Sequence, residues 1–294
     1  MLTLQAQCVL DQQALLGEGP VWDDQLQELF WVDIEGKKLH RYKPANKQTH
    51  EYELEQRIGA AVPAEDGSWI VALEDGFYRL NLESGNVTLV AHVNEEPQGQ
   101  TRLNDGKCDE RGRFYAGTMH FDCSEPIGAL YTLEAGGRVT KRLADVTISN
   151  GLAWSGDEKM MYYIDSGEQV VNAFDYDAGS GEIGNRRVIF SLADEVGGPD
   201  GMSIDAEGML WVCHWGGWQV SRWNPHTGKK LAKVEVPAAN VTSCAFGGEQ
   251  LDELYITTAR IGNNEQALRE QPQAGGLFKV KTGVQGRPVA RYQG

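Results

Sequence analysis

The sequence predicts an all-β protein, a six-bladed β-propeller with a metal site on its central axis. Three observations predict it. One unit recurs six times, each copy alternates apolar and polar residues with period two, and one offset of the unit repeatedly carries an acid or an amide. Each copy joins a small residue and an apolar run to a polar turn and a second run of aromatic or β-branched residues. The copies are 19–24 with 29–33, 59–63 with 68–72, 105–112 with 113–117, 150–154 with 161–165, 200–208 with 210–213, and 243–247 with 254–257. The residue before the small one is Glu18, Ile58, Asp105, Asn150, Asp200 and Ser243, and successive copies lie 40–50 residues apart. That interval holds four short strands and their turns, the content of one blade.

The connecting elements follow in order. Glu-Ser-Gly at 83–85, Ala-Gly-Ser-Gly at 178–181 and His-Thr-Gly at 226–228 are hairpin turns, rich in residues that tolerate tight backbone. Asp175-Tyr-Asp177-Ala-Gly179 imitates the start of a calcium loop. It lacks the later Gly and Glu and reads as another turn. Residues 263–271 suit a helical turn inside a loop of the sixth unit. The 8 Trp and 10 Tyr fall mostly in the strand runs, as sheets packed face to face require. The apolar stretch 4–10 is expected to pair with the sixth unit and tie the ring shut. With no linker or low-complexity tract, residues 1–294 are expected to form one domain.

Composition narrows the function classes. No run approaches the ~18–20 apolar residues of a membrane-spanning helix, and residues 1–8 lack the features of a signal peptide. The five cysteines are scattered without a C-x-x-C pair, which suits reduced thiols and a cytoplasmic location. Forty-two acidic against 27 basic residues give a net charge of −15, which repels phosphate backbones and anionic membranes. Neither nucleic acid nor membrane is an expected partner; a small molecule is, for a monomer or weak homo-oligomer.

In a propeller the first strand of every blade lines the axis, so equal offsets converge. Glu18, Asp105, Asn150 and Asp200 are therefore expected at one mouth of the channel. Asn or Asp before Gly often only caps a turn, and for any single position that reading is the stronger. Four positions at one offset, one of them a Glu that forms no turns, favour convergence. Crowded carboxylates raise one another's pKa unless a cation is present. Carboxylate and amide oxygens suit Ca2+, Mg2+ or Mn2+, and Zn2+ also accepts carboxylate. Three protein ligands would leave positions open for substrate.

Other constellations are weaker. The six histidines show no metal-protease spacing, and only His120 and His214 follow strand runs that could lead to the channel; a structural role is expected for both. No G-x-S-x-G elbow occurs.

Leu16-Gly-Glu-Gly-Pro-Val-Trp22, Arg102-Leu-Asn-Asp-Gly-Lys107, Ser149-Asn-Gly-Leu-Ala-Trp154 and Pro199-Asp-Gly-Met-Ser-Ile-Asp205 stand in one chain with Tyr162-Tyr-Ile-Asp-Ser166 and Thr242-Ser-Cys-Ala-Phe-Gly247. Together they resemble the senescence-marker-protein/gluconolactonase family, the regucalcin-like lactonases, over essentially the whole length. The resemblance implies one divalent ion on Glu18, Asn150 and Asp200, and substrate contacts at Arg102, Asn104 and a loop acid at Asp122. The loop around Asp122 departs from the family pattern. The expected reaction is hydrolysis of a sugar lactone to an aldonic acid, with Asp200 as general base. The alternatives are a divalent-metal esterase or phosphotriesterase and a non-enzymatic calcium-binding propeller. Asp105 either joins the site or holds its own turn.

Overall fold

A computed structural model describes residues 1–95 and 99–294. Its strands form six sheets arranged as the blades of a propeller. Blade 1 comprises Gly17–Asp23, Glu28–Asp33, Lys38–Lys43 and Gln48–Glu53, and blade 2 Ile58–Pro63, Trp69–Leu73, Gly76–Leu80 and Val87–His92. Blade 3 comprises Thr101–Cys108, Phe114–His120, Gly128–Leu133 and Val139–Val146, and blade 4 Ser149–Trp154, Met160–Asp165, Val170–Asp177 and Glu182–Ser191. Blade 5 begins with Gly198–Ile204, Leu210–Trp215, Gln219–Asn224 and Lys229–Glu235, and blade 6 with Val241–Gly247, Glu253–Thr258 and Leu277–Lys281.

Sealing of the ring differs in part from expectation. Gln7–Leu10 does pair with blade 6, antiparallel to Leu277–Lys281, as its fourth strand. Leu2–Gln5 instead runs parallel to Lys229–Glu235 on blade 5. The N-terminal segment thus staples two blades together, because Ala6 leaves one sheet edge, donating its amide to Glu235 O, just before Gln7 joins the next. Two edges are covered by one segment. Residues Glu265–Glu270 form the expected short helix, capped by Asn264, whose side chain accepts from Ala267 N at 2.9 Å.

Period-two alternation explains the core. In the second strand of blade 1, Leu29 and Trp31 face blade 6 while Phe30 and Val32 face blade 2. In blade 4, Met161 and Tyr163 face blade 3 while Tyr162 and Ile164 face blade 5. Such strands bury both faces and show no polar side. Each interface also holds an aromatic pair, such as Phe30–Trp69 at 4.0 Å between ring centres and Trp211–Phe246 at 5.7 Å.

The inner strands surround the axis, and every one is bulged at the same place. The register slips between Glu18 and Val21, Ile58 and Ala60, Leu103 and Gly106, Asn150 and Leu152, Pro199 and Met202, and Val241 and Cys244. A bulge turns a side chain away from the regular pleat. The small residue beside it has a packing cause. A Cβ on Gly151 would lie 2.6 Å from Met202 Cβ, and one on Gly201 2.3 Å from Ser243 Oγ, so only glycine lets the next blade's inner strand approach. The repeat that organises the sequence is therefore the bulge that lines the axis.

Residues 285–293 cross the far mouth of the channel and touch all six blades. Gln285 O accepts from Ala206 N at 2.8 Å, Gly286 N donates to Leu251 O at 2.8 Å, and Arg291 pairs with Asp23 at 2.5 Å. Tyr292 N donates to Pro63 O at 2.8 Å, and Gln293 N to Gly112 O at 3.0 Å. Arg287 lies against Gly156 of blade 4.

Candidate functional site

At the open mouth lies a cavity of about 490 Å³, within the ~300–1,000 Å³ usual for small-molecule sites. Glu18, Arg102, Asn104, Asn150 and Asp200 all line it, and all five are buried. Asp105 is buried on the same channel but is not part of this wall. Glu18 comes from blade 1, Arg102 and Asn104 from blade 3, Asn150 from blade 4 and Asp200 from blade 5.

The loops entering the inner strands are held by acids at the ends of the second strands. Asp33 accepts from Leu15 N at 2.9 Å, Leu16 N at 3.0 Å and Gly36 N at 2.9 Å, fixing the approach to Glu18. Asp165 does the same in blade 4, accepting from Thr147 N at 2.8 Å, Ile148 N at 2.9 Å and Gly167 N at 3.1 Å before Asn150. Blades 1 and 4 thus aim their site residues by one device.

A hydrogen-bond chain orients the amides. Arg102 Nη1 donates to Leu103 O at 3.1 Å and to Asn104 Oδ1 at 2.6 Å. Asn104 Nδ2 then donates to Ser149 O at 2.8 Å and Asn150 Oδ1 at 3.1 Å. Asn150 Nδ2 donates to Ser166 Oγ at 2.8 Å, whose own proton goes to Pro199 O at 2.6 Å. Asn150 therefore presents its carbonyl oxygen, not its NH2, on the side of Asn104. An oxygen has a second lone pair to offer there.

The carboxylates are poorly compensated. Glu18 Oε2 accepts from Gly19 N at 2.9 Å and Asp105 Oδ1 from Gly106 N at 2.7 Å, in each case the next amide along. Burial, and after it the charges of Asp200 and Asp105, push Glu18 well above the usual carboxylate range, against a weaker pull from Gly19 N–H and Arg102. Burial and then Asp105 push Asp200 well up in the same way. Burial raises Asp105 while Lys107 draws it down. Such mutual repulsion is what a divalent cation relieves.

The donor set fits a hard ion: two carboxylates whose charges sum to that of a dication, and an amide oxygen already oriented. Among the described residues, no three His, Cys, Asp or Glu side chains are grouped so as to hold an ion by themselves. The third oxygen of this set belongs to an amide. Glu18, Asn150 and Asp200 are the residues that would hold the ion.

Asp122 stands apart from the others. Its side chain is exposed, and the neighbours Phe121 and Cys123 line the cavity instead. His120 holds the loop's turn: its Nδ1 accepts from Asp122 N at 3.1 Å, and its carbonyl from Cys123 N at 3.0 Å. Arg57 stacks on Phe121 at 5.6 Å and is paired to Glu35 and Glu74. His214 is fully buried, with Nε2 2.6 Å from Ser221 Oγ and Nδ1 3.2 Å from Val196 O, and burial lowers its pKa to about 4. It is a neutral structural residue.

Sequence reasoning missed much of the wall. Ile34, Phe121, Ser166, Trp215 and Ile261 all come from the ends of second strands or the loops after them. The offset argument applied to the inner strands would have found them if carried to the next strand. Glu95 was also missed. This buried acid accepts from Thr101 Oγ1 at 2.5 Å, Thr118 Oγ1 at 2.8 Å and Tyr131 OH at 2.8 Å, tying the approach to Arg102 onto blade 3.

Known proteins share this arrangement of strands. The chain is 42% identical to the regucalcin of Danio rerio over 297 residues, covering all of both chains. A luciferin-regenerating enzyme of known structure superposes with a TM-score of 0.91 at 34% identity, over 98% of this chain and 99% of that one. A calcium-binding regucalcin from Agrobacterium tumefaciens superposes with a TM-score of 0.94 at 28% identity, over 100% and 99%. A family model described as SMP-30/gluconolactonase/LRE-like region matches residues 16–260, a span that contains every side chain placed on the cavity above except Ile261. Fold, full-length similarity and site geometry converge, and the chain belongs to the SMP-30/gluconolactonase/LRE-like family.

Proposed function

We propose that the protein hydrolyses sugar lactones to aldonic acids with the help of one divalent ion held by Glu18, Asn150 and Asp200. The observation that carries the reading is that three buried oxygen-bearing side chains, from blades 1, 4 and 5, line one cavity beside a guanidinium and an amide. A bound dication would supply Lewis-acid polarisation of the lactone carbonyl and charge for its developing oxyanion.

The remaining roles belong to the chain's own residues. Arg102 spends one terminal nitrogen on Leu103 and Asn104, which leaves the rest of its fork to bind substrate hydroxyls. Together with Asn104 it orients the ring, converting an encounter into a fixed geometry. Asp200 takes the proton of the attacking water as general base. The water oxygen bonds to the acyl carbon, the ring C–O bond breaks, and the departing oxygen regains a proton to give the open hydroxy acid. Burial of Glu18 and Asp200 keeps bulk water from competing for these groups. Asp122, exposed on the loop beside Phe121 and Cys123, is a substrate contact if that loop folds over a bound ring.

The test is a pH-indicator assay over pentono- and hexonolactones with added Ca2+, Mg2+, Mn2+ or Zn2+. Lactone opening that depends on the ion supports the reading, and undiminished turnover after thorough chelation overturns it.

A further inference from the structure

The cavity has two unlike sides. Every amide and hydroxyl side chain of the wall comes from blades 3 and 4, where Asn104, Asn150 and Ser166 stand with Arg102 among Met119, Phe121 and Ile148. Blades 5, 6 and 1 contribute Trp215, Ile261 and Leu16 and, besides the buried acids, only one charged group, Glu35, which is paired to Arg57. Trp215 ends the second strand of blade 5, opposite Gly198. Its ring edge reaches the sixth blade at Gly262, where Cζ2 lies 3.5 Å from the position a Cβ would take, an ordinary contact distance.

The apolar side continues outward. Ile261 N donates to Leu15 O at 3.0 Å, which places the exposed Leu15 beside Ile261 at the rim. On the other flank of Trp215, a Cβ on Gly217 would stand 2.4 Å from Val196 O, so the 216–218 loop backs onto Val196 and presents Trp218. Leu15 is 49% exposed, Ile261 44%, Trp218 43% and Val196 65%. One exposed apolar residue needs no explanation, but Leu15 beside Ile261, and Val196 and Trp218 on the loops that flank Trp215, extend the apolar part of the wall outward.

We infer that the site also accepts lactones bearing an apolar chain on the ring. The ring's polar edge lies against blades 3 and 4, and the chain lies along Trp215, Ile261 and Leu15. A fully hydroxylated lactone leaves Ile261 and Leu15 uncovered, since aliphatic side chains cannot pair with hydroxyls. An alkyl chain covers it and releases its water. The chemistry is unchanged: water adds across the acyl–oxygen bond of the ring, its OH going to the acyl carbon and its proton to the ring oxygen. The inference rests on the lactonase reading.

The experiment uses the full chain loaded with divalent ion and a series of γ-lactones, from unsubstituted butyrolactone to rings with alkyl chains of up to about eight carbons. Aldonolactones are assayed in parallel. From the free energy of burying a methylene, kcat/KM should rise by about fourfold per added carbon, mainly through KM. Trp215→Ala and Ile261→Ser should each flatten that slope. Should Trp215→Ala fail to fold, Ile261→Ser and Leu15→Ser, at exposed positions, carry the comparison. A flat chain-length profile in a protein that opens aldonolactones overturns this inference alone. A slope that survives both substitutions also overturns it, by removing the assigned wall. Absence of turnover on every lactone overturns the lactonase reading and this inference with it.

Discussion

The inner strands of blades 1 and 5 carry one acid near the open mouth and another at or just past the far end, Glu18 and Asp23 in one, Asp200 and Asp205 in the other. Blade 3 repeats the pattern with Asp105 and Asp109. All six are buried. At the far end, Asp205 accepts from Trp211 Nε1 at 2.9 Å, Arg222 Nε at 2.8 Å and the amides of Glu207 and Met209. Asp109 accepts from Arg113 Nη1 at 3.0 Å, Tyr176 OH at 2.5 Å and two turn amides. Asp23 is met by Arg291 and by the amides of Gln25 and Leu26. At the near end, Glu18 and Asp105 each accept one hydrogen bond, from the next residue, and the acids repel one another. Residue type and burial are alike; only the partners differ. A buried acid surrounded by donors is architecture, and a buried acid facing other acids is a place prepared for a cation.

Substitutions can break that contrast. The largest effect is expected at the near end, where Asp200→Asn should lower ion-dependent lactone hydrolysis by at least about 10³-fold, and Glu18→Gln comparably, with unchanged far-UV circular dichroism. At the far end Asp205→Ala should behave oppositely. It leaves the Trp211 indole without its acceptor and Arg222 with Glu207 alone, and should cost about 3 kcal/mol in urea unfolding, while activity per folded molecule stays near wild type. Equal losses of activity from both would erase the distinction drawn here.

A subtler test addresses the aiming device. Asp165→Ala releases the three amides that set the approach to Asn150, and should weaken Ca2+ or Mn2+ binding by about 10–100-fold in calorimetry. The smallest effect concerns pH in ion-free protein. Folded-state values of Glu18 and Asp200 lie above the unfolded ones, so their contribution is complete below about pH 4 and is lost as pH rises through the raised values. Ion-free Glu18→Gln should therefore gain thermal stability over wild type between pH 5 and pH 8, by an amount that grows with pH. Saturating divalent ion should reverse the order. A difference that does not change with pH would mean that Glu18 is not strained by its neighbours.

Much of this was legible in the sequence because a propeller converts equal offsets into proximity. The bulge residues Glu18, Asn150 and Asp200 carried that signal, and so did the Gly residues that let neighbouring blades approach. Two things were not legible. Ile34, Phe121 and Ser166 each stand 16 residues beyond Glu18, Asp105 and Asn150, and Trp215 and Ile261 stand 15 and 18 beyond Asp200 and Ser243, but these residues are chemically unlike, so the shared position carries no repeated residue type to mark it as a wall. The N-terminal staple is only half legible, because residues 4–10 read as one apolar stretch and the crossing at Ala6 depends on where two sheet edges lie in space. Nor could the offset rule separate near-end acids from far-end ones; that needed the positions of Arg222, Arg113 and Arg291.

The strap formed by residues 285–293 has a consequence for traffic. With the strap laid across the rear of the tunnel, the open mouth is the direct way to and from the acids. Under the proposed reaction, an uncharged ring drifts in against a protein of net charge −15, whereas the anionic acid formed from it is pushed back out. Raising the salt concentration should slow that expulsion.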